Sequence, residues 1–403
     1  MPHFVVIGAG QAGAALVAKL RNLGFEDEIT LIGAEPVPPY QRPPLSKAYL
    51  LGEMERDRLF LRPEQFYKDQ NIRLRLDTPV TAVDPAAKTV TVGQEMISYD
   101  QLALTTGSRP LHLPDSIGGT LKGIYVVRTL ADIDEMQPEF AKGKNVLIVG
   151  GGYIGLEAAA VASKLGLNVT LVEMADRILQ RVAAPETSAY FRALHESHGV
   201  KILEGIGLGH LSGEQRVKQA TLSDGHVLPV DFVIVGIGIR PETTLAEAAG
   251  LAIDNGIKTD ALGRTSDGNI WAAGDCASFP YKGGRIRLES VPNAIDQAEV
   301  VAENMLGANK KYVATPWFWS DQYDVKLQIA GLNTGYDSTV LRPGDKPGSQ
   351  SIWYYRGEHL LAVDAMNDAR AYMIGKRLIE SGKPVAAELV SNPETDLKSL
   401  LKR

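Results

Sequence analysis

The chain carries the stretch VVIGAGQAG at residues 5–13, an apolar run that leads into a glycine-rich turn. A second stretch, VLIVGGGYIG at residues 146–155, repeats the pattern near the middle of the chain. Both fit G-x-G-x-x-G, in which the first glycine makes a tight turn, the second admits a pyrophosphate and the third packs helix against strand. Two copies, each opening a helix, predict two bound dinucleotides, most simply a flavin and a nicotinamide.

Each glycine turn lies inside the same strand–helix–strand pattern. The predicted elements are strand 4–7, helix 11–23 and strand 28–32, then strand 145–149, helix 153–165 and strand 168–173. From about residue 316 the pattern changes to short strand-like runs, a helix near 368–381 and a polar tail. We therefore predict an α/β fold with two Rossmann-like dinucleotide-binding domains and a C-terminal α+β domain.

The predicted domain boundaries follow these changes in pattern. The first dinucleotide-binding domain is discontinuous, at 1–113 and 239–316, and the second occupies 114–238. A C-terminal interface domain is predicted at 317–403. The Pro-rich segment 38–47 is too rich in proline for a helix or a central strand, and by itself it is typical of a rigid surface loop.

Composition excludes several classes of function. The chain has 403 residues, 44% of them apolar, and a net charge of −6. That charge argues against nucleic-acid binding, for which a basic surface supplies most of the affinity. No apolar run approaches the roughly 20 residues that span a bilayer. The chain enters a strand by Phe4 without a signal-peptide pattern, so we expect a cytoplasmic protein with no membrane partner.

Cysteine use limits the redox chemistry. The chain holds one cysteine, Cys276, and so can form no internal disulfide. This excludes the redox dithiol of flavin enzymes that reduce disulfides. Cys276 ends an apolar strand without an activating histidine nearby in sequence, which is typical of a packed thiol and not of a nucleophile.

Acidic residues after predicted strands indicate which nucleotide binds where. Glu173 ends the second strand of the second unit, where a carboxylate accepts hydrogen bonds from ribose hydroxyls and repels a 2′-phosphate, so NADH is favoured over NADPH. We expect the nearby Arg177 to be solvated or a weak partner on a helix face, so the preference for NADH stands. The first unit has Gly33 at the matching position, followed by Ala34 and Glu35. Asp275 follows a buried strand, at the sheet edge where ligands bind in open α/β folds.

Two histidines have a spacing that permits metal binding. His195 and His198 lie three residues apart on a predicted helix. No cysteine or acidic cluster completes a site around them, so we predict a solvated helix face and no metal site.

Four motifs carry a family resemblance. They are RPPLSK at 42–47, GGGYIGLE at 150–157, ESVPNA at 289–294 and PWFWSDQ at 316–322. With them the chain resembles the FAD-dependent NADH:ferredoxin reductases of bacterial oxygenase systems, the group typified by putidaredoxin reductase, which has the glutathione-reductase-like fold. The resemblance implies hydride transfer from NADH to FAD. It also implies single-electron transfer to a small acidic two-iron two-sulfur ferredoxin that feeds a cytochrome monooxygenase or related oxygenase.

The resemblance also implies the site residues. The FAD contacts would be Gly8, Gly10, Ala12, Gly13, Glu35, Arg42, Lys47, Val80, Arg128, Asp275, Val291 and Trp319. The NAD contacts would be Gly150, Gly152, Ile154, Gly155, Glu173, Gly238 and Glu289. The residues expected to act in catalysis would be Lys47, Glu157, Glu289 and Trp319. The family usually carries its first-site acid at the position of Ala34, which leaves Glu35 as the candidate here.

Other interpretations stay open on the sequence. From the residues alone, Trp319 is typical of an aromatic core cluster and Lys47 of a solvated surface. An NADH oxidase or peroxidase shares the fold but carries a redox cysteine in the region of 43–47, where this chain has none. A redox-responsive binding protein resembling apoptosis-inducing factor is a third interpretation, and no long basic insertion supports it.

Overall fold

The structure, a computed structural model, describes residues 1–402. The α-helices are α1 (Gln11–Asn22), α2 (Glu64–Asp69), α3 (Leu130–Met136), α4 (Tyr153–Lys164), α5 (Pro185–Ser197), α6 (Thr244–Ala248), α7 (Val291–Met305), α8 (Ala369–Ser381), α9 (Ala387–Ser391) and α10 (Leu397–Leu400). Short 3₁₀ turns lie at Pro43–Ser46, Arg56–Leu59, Asp115–Ile117 and Gln137–Glu139. Within these residues, no helix has the length and apolar character needed to cross a membrane.

The strands are interspersed among the helices along the described chain, with several runs of consecutive strands. They are β1 (His3–Ile7), β2 (Glu28–Ile32), β3 (Ile72–Arg75), β4 (Val80–Asp84), β5 (Thr89–Val92), β6 (Glu95–Ser98), β7 (Gln101–Leu104), β8 (Ser108–Pro110), β9 (Ile124–Tyr125), β10 (Asn145–Val149), β11 (Asn168–Glu173), β12 (Lys201–Glu204), β13 (Leu208–Ser212), β14 (Gln219–Leu222), β15 (Val227–Pro229), β16 (Phe232–Val235), β17 (Ile239–Pro241), β18 (Ile257–Lys258), β19 (Ile270–Ala272), β20 (Ala277–Tyr281), β21 (Gly284–Ile286), β22 (Trp317–Gln322), β23 (Val325–Gly331), β24 (Ser338–Pro343), β25 (Gln350–Arg356) and β26 (His359–Met366).

The chain clusters into two compact units. Unit 1 comprises 1–41, 55–109 and 239–316, and unit 2 comprises 42–54, 110–238 and 317–402 of the described chain. The Pro-rich segment therefore groups with unit 2 from Arg42 onward, which its position in the sequence does not indicate. The three-domain division predicted above stays a prediction.

Unit 1 is built on a parallel sheet with strand order β19-β7-β1-β2-β3. Its central strands are apolar on both faces because both faces are covered, one by helices and the other mainly by the β4-β5-β6 sheet, whose Val83, Val90 and Ile97 share a core with Val5 and Ile7. α1 and α7 pack on one face, where Leu16, Leu20 and Val301 share a core with Val6. Two small sheets, β4-β5-β6 and β18-β20-β21, complete the unit.

Unit 2 contains a second parallel sheet, with strand order β12-β11-β10-β16-β9. β10 and β11 occupy the positions that β1 and β2 occupy in unit 1, and α4 follows β10 as α1 follows β1. Four strands of each sheet, β3-β2-β1-β7 and β12-β11-β10-β16, thus share one topology, whereas the fifth strand differs because β19 follows β7 in the chain and β9 precedes β10. The predicted pair of Rossmann-like folds is confirmed. A small antiparallel sheet, β13-β14-β15, lies in the same unit.

The C-terminal part of unit 2 is an antiparallel sheet with order β22-β23-β26-β25-β24. α8 packs on one face, where Trp353, Val363 and Leu378 form the core. This agrees with the predicted α+β domain; Arg403, its last predicted residue, lies outside the described residues.

The expected polar tail is wrong in part, because residues after α8 pack onto the domain. Val390, Leu397 and Leu400 are buried in its core. The buried guanidinium of Arg342 donates hydrogen bonds to the carbonyl oxygens of Val390, Asn392, Pro393 and Thr395 at 2.7–3.0 Å. A buried arginine needs such acceptors. Hydrogen bonds from Arg342 to the backbone therefore hold the tail on the domain, and the polar composition of the tail does not predict them.

Candidate active site

The glycine turn of unit 1 leaves space on one side only. Gly8 has a φ of 110°, and a side chain there would collide with the carbonyl oxygen of Thr105. A side chain at the position of Gly13 would collide with the carbonyl oxygen of Gly8 in the same way. Around Gly10, in contrast, no described atom beyond its neighbours lies within 4 Å of a β-carbon position. The turn is therefore closed against the protein and open where a pyrophosphate would approach.

Unit 2 repeats this arrangement. Gly150, with a φ of 107°, lies against the carbonyl oxygen of Gly236, and Gly155 lies against the carbonyl oxygen of Gly150. No described atom lies within 4 Å of a β-carbon position at Gly152. Gly10 and Gly152 are the N-cap residues of α1 and α4, and in the described chain no side chain caps either helix. Uncapped N–H groups at a helix N-terminus are a site for an anionic phosphate.

Glu173, the acid of unit 2, forms hydrogen bonds with the backbone of the glycine turn and of the loop after β11. Glu173 Oε2 accepts a hydrogen bond from the Gly151 N–H at 2.7 Å, and Oε1 accepts one from the Ala175 N–H at 2.8 Å. Glu173 therefore holds the turn as well as presenting a negative charge beside it. Arg177 is half-buried and donates a hydrogen bond to Ser188 Oγ on α5, so of the two expected alternatives it is a partner of a helix and not a solvated side chain.

Unit 1 cannot place an acid at the matching position. A β-carbon on Gly33 would lie 2.6 Å from the β-carbon of Ala9, so the end of β2 packs against the glycine turn. The next acid, Glu35, accepts a hydrogen bond from the Tyr40 hydroxyl at 2.6 Å. Close packing at Gly33 thus leaves no room for an acid at the position that Glu173 occupies in unit 2, and the first acid after β2 is Glu35.

Asp275 lies next to the glycine turn of unit 1. Its carboxylate accepts a hydrogen bond from Ser108 Oγ at 2.9 Å. A β-carbon on the preceding Gly274 would lie 3.0 Å from that of Ala12, in the first turn of α1. Arg287 donates to the Asp275 carbonyl oxygen at 3.4 Å and pairs with Glu289. The structure therefore brings three of the predicted residues, Ala12, Asp275 and Glu289, to one end of the unit 1 sheet.

α7 begins beside this cluster. Ser290 is its N-cap and accepts a hydrogen bond from the Asn293 N–H, and Val291 is its first residue. A β-carbon on Gly274 would also lie 3.8 Å from that of Ala294, so the first turn of α7 faces the Asp275 loop. A helix N-terminus in this position stabilises negative charge on a ligand. Val80 lies further along, at the start of β4, where it packs on the second core of unit 1.

Within unit 2, Lys47 and Glu157 form a buried ion pair. Lys47 Nζ lies 2.8 Å from Glu157 Oε2, and the two side chains are 18% and 5% exposed. Glu157 Oε2 also accepts a hydrogen bond from Ser46 Oγ at 2.5 Å, and Oε1 accepts one from Ser320 Oγ at 2.7 Å. The solvated lysine that local sequence favours is thus wrong: the 3₁₀ turn at Pro43–Ser46 buries Leu45 and delivers Ser46 and Lys47 to α4.

Two predicted arginines meet at the start of α3. Arg42 Nη1 donates a hydrogen bond to the Arg128 carbonyl oxygen at 2.6 Å. The Arg128 N–H in turn donates to Asp132, which also forms a capping box with Thr129. The predicted FAD contacts Arg42 and Arg128 are therefore neighbours, although 86 residues separate them in sequence.

The aromatic motif forms β22, whose side chains alternate between two faces. Trp319 is half-buried, and its ring stacks on Trp317 with centroids 5.6 Å apart. On the other face, Phe318 packs against Tyr153 of α4 with centroids 5.0 Å apart. Ile154, next to Tyr153, is 41% exposed, and Gly238 has a φ of 119° beside Leu111.

The expected solvated histidine face is wrong for His195. Its side chain is fully buried, and its Nε2 lies 2.8 Å from Gln322 Oε1. Burial lowers the pKa of His195 to about 4. His198 is exposed, as expected, and stacks on Tyr323. Sequence reasoning missed Ser46, Ser320, Gln322 and His195 as partners of the site; the one available signal was the alternation of Ser320 and Gln322 in the WFWSDQ motif.

Cys276 is packed, as predicted. The residue is fully buried, and its Sγ lies 3.5 Å from the carbonyl oxygens of Leu104 and Ala273. Burial raises the pKa of this thiol. A neutral, enclosed thiol is a poor nucleophile.

Comparison with known proteins defines the family. The sequence pattern of the pyridine nucleotide-disulphide oxidoreductase family matches residues 2–298, and the reductase C-terminal pattern matches 317–401. The chain is 43% identical over 411 residues to the 5,5′-dehydrodivanillate O-demethylase ferredoxin reductase subunit of Sphingobium sp., with 99% of each protein covered. It superposes on the crystal structure of the covalent putidaredoxin reductase–putidaredoxin complex with a TM-score of 0.95, at 38% identity over 100% of this chain and 98% of that chain. The chain belongs to the putidaredoxin reductase-type ferredoxin reductases.

A second solved structure supports this ferredoxin reductase family. The ferredoxin reductase of the CYP199A2 system from Rhodopseudomonas palustris matches with a TM-score of 0.94 at 38% identity, over 98% of this chain and 99% of that chain. The sequence motifs also indicate similarity to palustrisredoxin reductase; at this identity, the R. palustris reductase is a relative of the chain and not the same protein. The predicted glutathione-reductase-like fold, the oxidoreductase class and the ferredoxin partner are confirmed at the level of the family.

The ferredoxin reductase family binds FAD and NAD(H), and this confirms the predicted cofactors. The residues of this chain fit both groups. Each glycine turn is closed by backbone at its first and third glycines and open at its second, with uncapped helix N–H groups at 10 and 152 among the described residues. An anionic pyrophosphate complements such a turn.

Proposed function

We propose that this chain oxidises NADH through a bound FAD and passes the electrons to a small acidic two-iron two-sulfur ferredoxin, which serves a cytochrome monooxygenase or related oxygenase. The observation that carries the proposal is the pair of matching glycine turns, each open at its second glycine. Two dinucleotide sites in one chain with a buried, solitary cysteine suit electron transfer from NADH to an external protein.

FAD belongs to unit 1 in this proposal. Gly8, Gly10, Ala12 and Gly13 would hold its pyrophosphate, and Glu35 would accept a hydrogen bond from its adenosine ribose. Asp275 would bind a ribityl hydroxyl, and the α7 N-terminus at Val291 would stabilise negative charge on the reduced ring. Arg42, Lys47, Val80, Arg128 and Trp319 would supply further contacts. When bound, the flavin accepts a hydride and releases its two electrons singly.

NADH belongs to unit 2. Gly150, Gly152 and Gly155 would hold its pyrophosphate, and Glu173 would bind the ribose hydroxyls while repelling a 2′-phosphate. Glu157 and Glu289 would bind the nicotinamide carboxamide and orient the ring. Ile154 and Gly238 would line the site. In this scheme the protein contributes position and charge, and the cofactors carry the redox chemistry.

The proposed ferredoxin partner is supported by the names of two relatives. One is the ferredoxin reductase subunit of an O-demethylase, and another was crystallised in covalent complex with putidaredoxin. An oxidase or peroxidase function is disfavoured, because those enzymes carry a redox cysteine where this chain has Pro43–Ser46 and Lys47.

An anaerobic titration tests the proposal. The protein loaded with FAD is mixed with NADH, and bleaching of the flavin absorbance is followed; oxidised ferredoxins of differing charge and cluster type are then added singly. We expect bleaching by NADH and rapid recovery of flavin absorbance with an acidic two-iron two-sulfur ferredoxin. Turnover with oxygen alone that equals turnover with every ferredoxin would contradict the proposal.

A further inference from the structure

A row of buried polar side chains leads away from the Lys47–Glu157 pair. β22 contributes Ser320 and Gln322 from one face, and α5 contributes His195; all three are fully buried. Ser320 Oγ lies 2.7 Å from Glu157 Oε1, Gln322 Nε2 lies 3.1 Å from Ser320 Oγ, and His195 Nε2 lies 2.8 Å from Gln322 Oε1. Tyr323 completes the row, its hydroxyl 3.3 Å from His195 Nδ1. These residues all belong to unit 2.

The carboxylate at one end determines the direction of every hydrogen bond. Glu157, paired with Lys47, is an acceptor only, so Ser320 must donate its single hydroxyl proton to it. Ser320 Oγ can then only accept from Gln322, which requires the amide NH₂ to face Ser320 and the amide oxygen to face His195. His195 must therefore carry its proton on Nε2, leaving Nδ1 to accept from the Tyr323 hydroxyl.

The protonation states and the backbone conformation at the Tyr323–His195 end of the row agree with this arrangement. Burial raises the pKa of Tyr323 to about 12, so its hydroxyl remains a donor, and burial keeps His195 neutral near pH 7. Tyr323 also has a φ of 56° in the two-residue loop between β22 and β23. A bulky residue rarely adopts this conformation, and here it places the ring between His195 and His198.

We infer that Ser320, Gln322 and His195 form a directed hydrogen-bond relay that positions the Glu157 carboxylate, and through it Lys47, for hydride transfer. The three are positioning residues and not catalytic ones. The relay supplies Glu157 with a donor on the oxygen that Lys47 and Ser46 do not contact. Both oxygens of the carboxylate are thereby fixed, which prevents rotation of the group. The inference rests on the proposed role of Glu157 at the nicotinamide.

The tautomer of His195 is measurable without any assay of activity. Holoenzyme labelled with ¹⁵N-histidine is examined at pH 7 by long-range ¹H–¹⁵N correlation, and the His195 signals are assigned by their loss in H195Q. We expect a protonated Nε2 and an unprotonated Nδ1. In Q322L, whose leucine cannot accept from Nε2, the His195 signals should shift; in S351A, which lies in the same sheet outside the relay, they should not. A proton on Nδ1 in the wild-type protein would overturn the relay.

Flavin reduction by NADH tests the positioning role in a stopped-flow experiment. We expect S320A to slow the reduction step about tenfold, the size of one lost hydrogen bond to a charged group. Q322L removes a neutral hydrogen bond to Ser320 and should slow the step about fivefold, and in both variants the Kd for NADH should stay within about threefold. S351A and H210Q are the matched controls, since they replace a buried serine and an exposed histidine of β13 that lie off the relay, and both should behave as wild type. Flavin absorbance of each variant verifies that it folds and holds FAD.

E157Q separates failure of this inference from failure of the proposed function. If E157Q is slow while S320A and Q322L both reduce at the wild-type rate, the positioning role is wrong and the role of Glu157 stands. If E157Q itself reduces at the wild-type rate, the proposed role of Glu157 fails and the positioning role fails with it, whereas the His195 tautomer still reports on the hydrogen bonds. Should S320A not fold, Q322L alone decides between these outcomes.

Discussion

Lys47 Nζ and Glu157 Oε2 lie 2.8 Å apart in unit 2, and the side chains are 18% and 5% exposed. One partner comes from a Pro-rich 3₁₀ turn and the other from the helix that opens with the second glycine turn. A charge buried to this degree is stable only while its partner is present. The pair therefore links a loop that the resemblance assigns to FAD with a helix that it assigns to NAD.

Replacing Lys47 and replacing Glu157 should lower the free energy of unfolding by different amounts. K47M leaves the Glu157 carboxylate buried without a cation, and we expect it to lower the free energy of unfolding by about 2–3 kcal/mol, less than for a fully buried pair because Lys47 retains some exposure. E157Q removes the buried charge while keeping its shape, so its loss should be smaller. Urea unfolding of the two holoenzymes measures the order, and a larger loss in E157Q would contradict it.

The open space at Gly152 predicts a variant that folds but binds NADH poorly. Gly152 has a φ of −80°, which alanine adopts without strain, and no described atom would touch its β-carbon. We expect G152A to unfold at the wild-type temperature while the KM for NADH rises about tenfold or more, because the methyl group occupies the approach of the pyrophosphate. G155A is the contrast: its β-carbon would strike the Gly150 carbonyl, so it should lose stability.

Glu173 should affect both coenzyme preference and the turn. E173Q keeps an oxygen for the Gly151 N–H but lacks the charge that repels a 2′-phosphate. We expect the ratio of kcat/KM for NADH over NADPH to fall about tenfold in E173Q. E173A removes the support of the turn as well, so kcat/KM should fall with both coenzymes. Equal ratios in E173Q and the wild-type protein would contradict this role.

Asp364 predicts a loss of stability as the pH rises through the weakly acidic range. Its carboxyl is buried and accepts hydrogen bonds from Thr187 and Tyr354, and burial raises its pKa from 3.8 to about 6. The folded protein thus retains a proton that the unfolded chain releases, so the free energy of unfolding falls between about pH 4 and 6, by about 3 kcal/mol. D364N should flatten this fall in urea unfolding, and D345N, at an exposed aspartate, should not.

His195 contributes the opposite slope in an overlapping range. Burial lowers its pKa from 6.5 to about 4, so the unfolded chain takes up a proton that the folded protein refuses. The contribution to stability is present above about pH 6.5 and is lost as the pH falls towards 4, by about 3 kcal/mol. H195Q should remove this loss, and H210Q, at an exposed histidine of β13, should leave it unchanged. Identical pH profiles for H195Q and wild type would contradict the burial of His195.

Cys276 should be dispensable for electron transfer. The thiol is enclosed among the strands of unit 1, and burial raises its pKa. We expect C276A to reduce ferredoxin at about the wild-type rate and the wild-type enzyme to resist thiol-alkylating reagents in the folded state. A loss of activity in C276A with stability and FAD content intact would assign the thiol a role that its surroundings do not support.

Part of the site could be read from the chain because its signals are local. Each glycine turn lies within ten residues of its strand and helix, so apolar runs and glycine spacing predicted β1, α1, β10 and α4 to within one residue at each end. Glu173 is the last residue of its strand and was predicted for the same reason. Lys47 and Glu157 were predicted only from the family resemblance, because no local sequence pattern identifies them.

Contacts between segments that are distant in the chain could not be predicted from the sequence. His195 was expected on a solvated face because the i, i+3 spacing describes the helix surface but not what packs on it. Ser46 and Ser320 lie 111 and 163 residues from Glu157, and no local period connects them. Ser320 reaches Glu157 because β22 packs on α4, and Ser46 reaches it because the 3₁₀ turn Pro43–Ser46 packs on the same helix. Only the tertiary structure decides these two packing contacts.

The sequence alone thus determined the two dinucleotide turns, their shared topology and the absence of a dithiol, since each depends on residue type within a short segment or on a count. The tertiary structure decided which polar groups surround the Glu157 carboxylate, which way their hydrogen bonds run and which titratable groups are buried. These depend on the burial of side chains from three separate segments at once. A buried carboxylate requires donors, but only the fold determines that Ser46, Lys47 and Ser320 supply them.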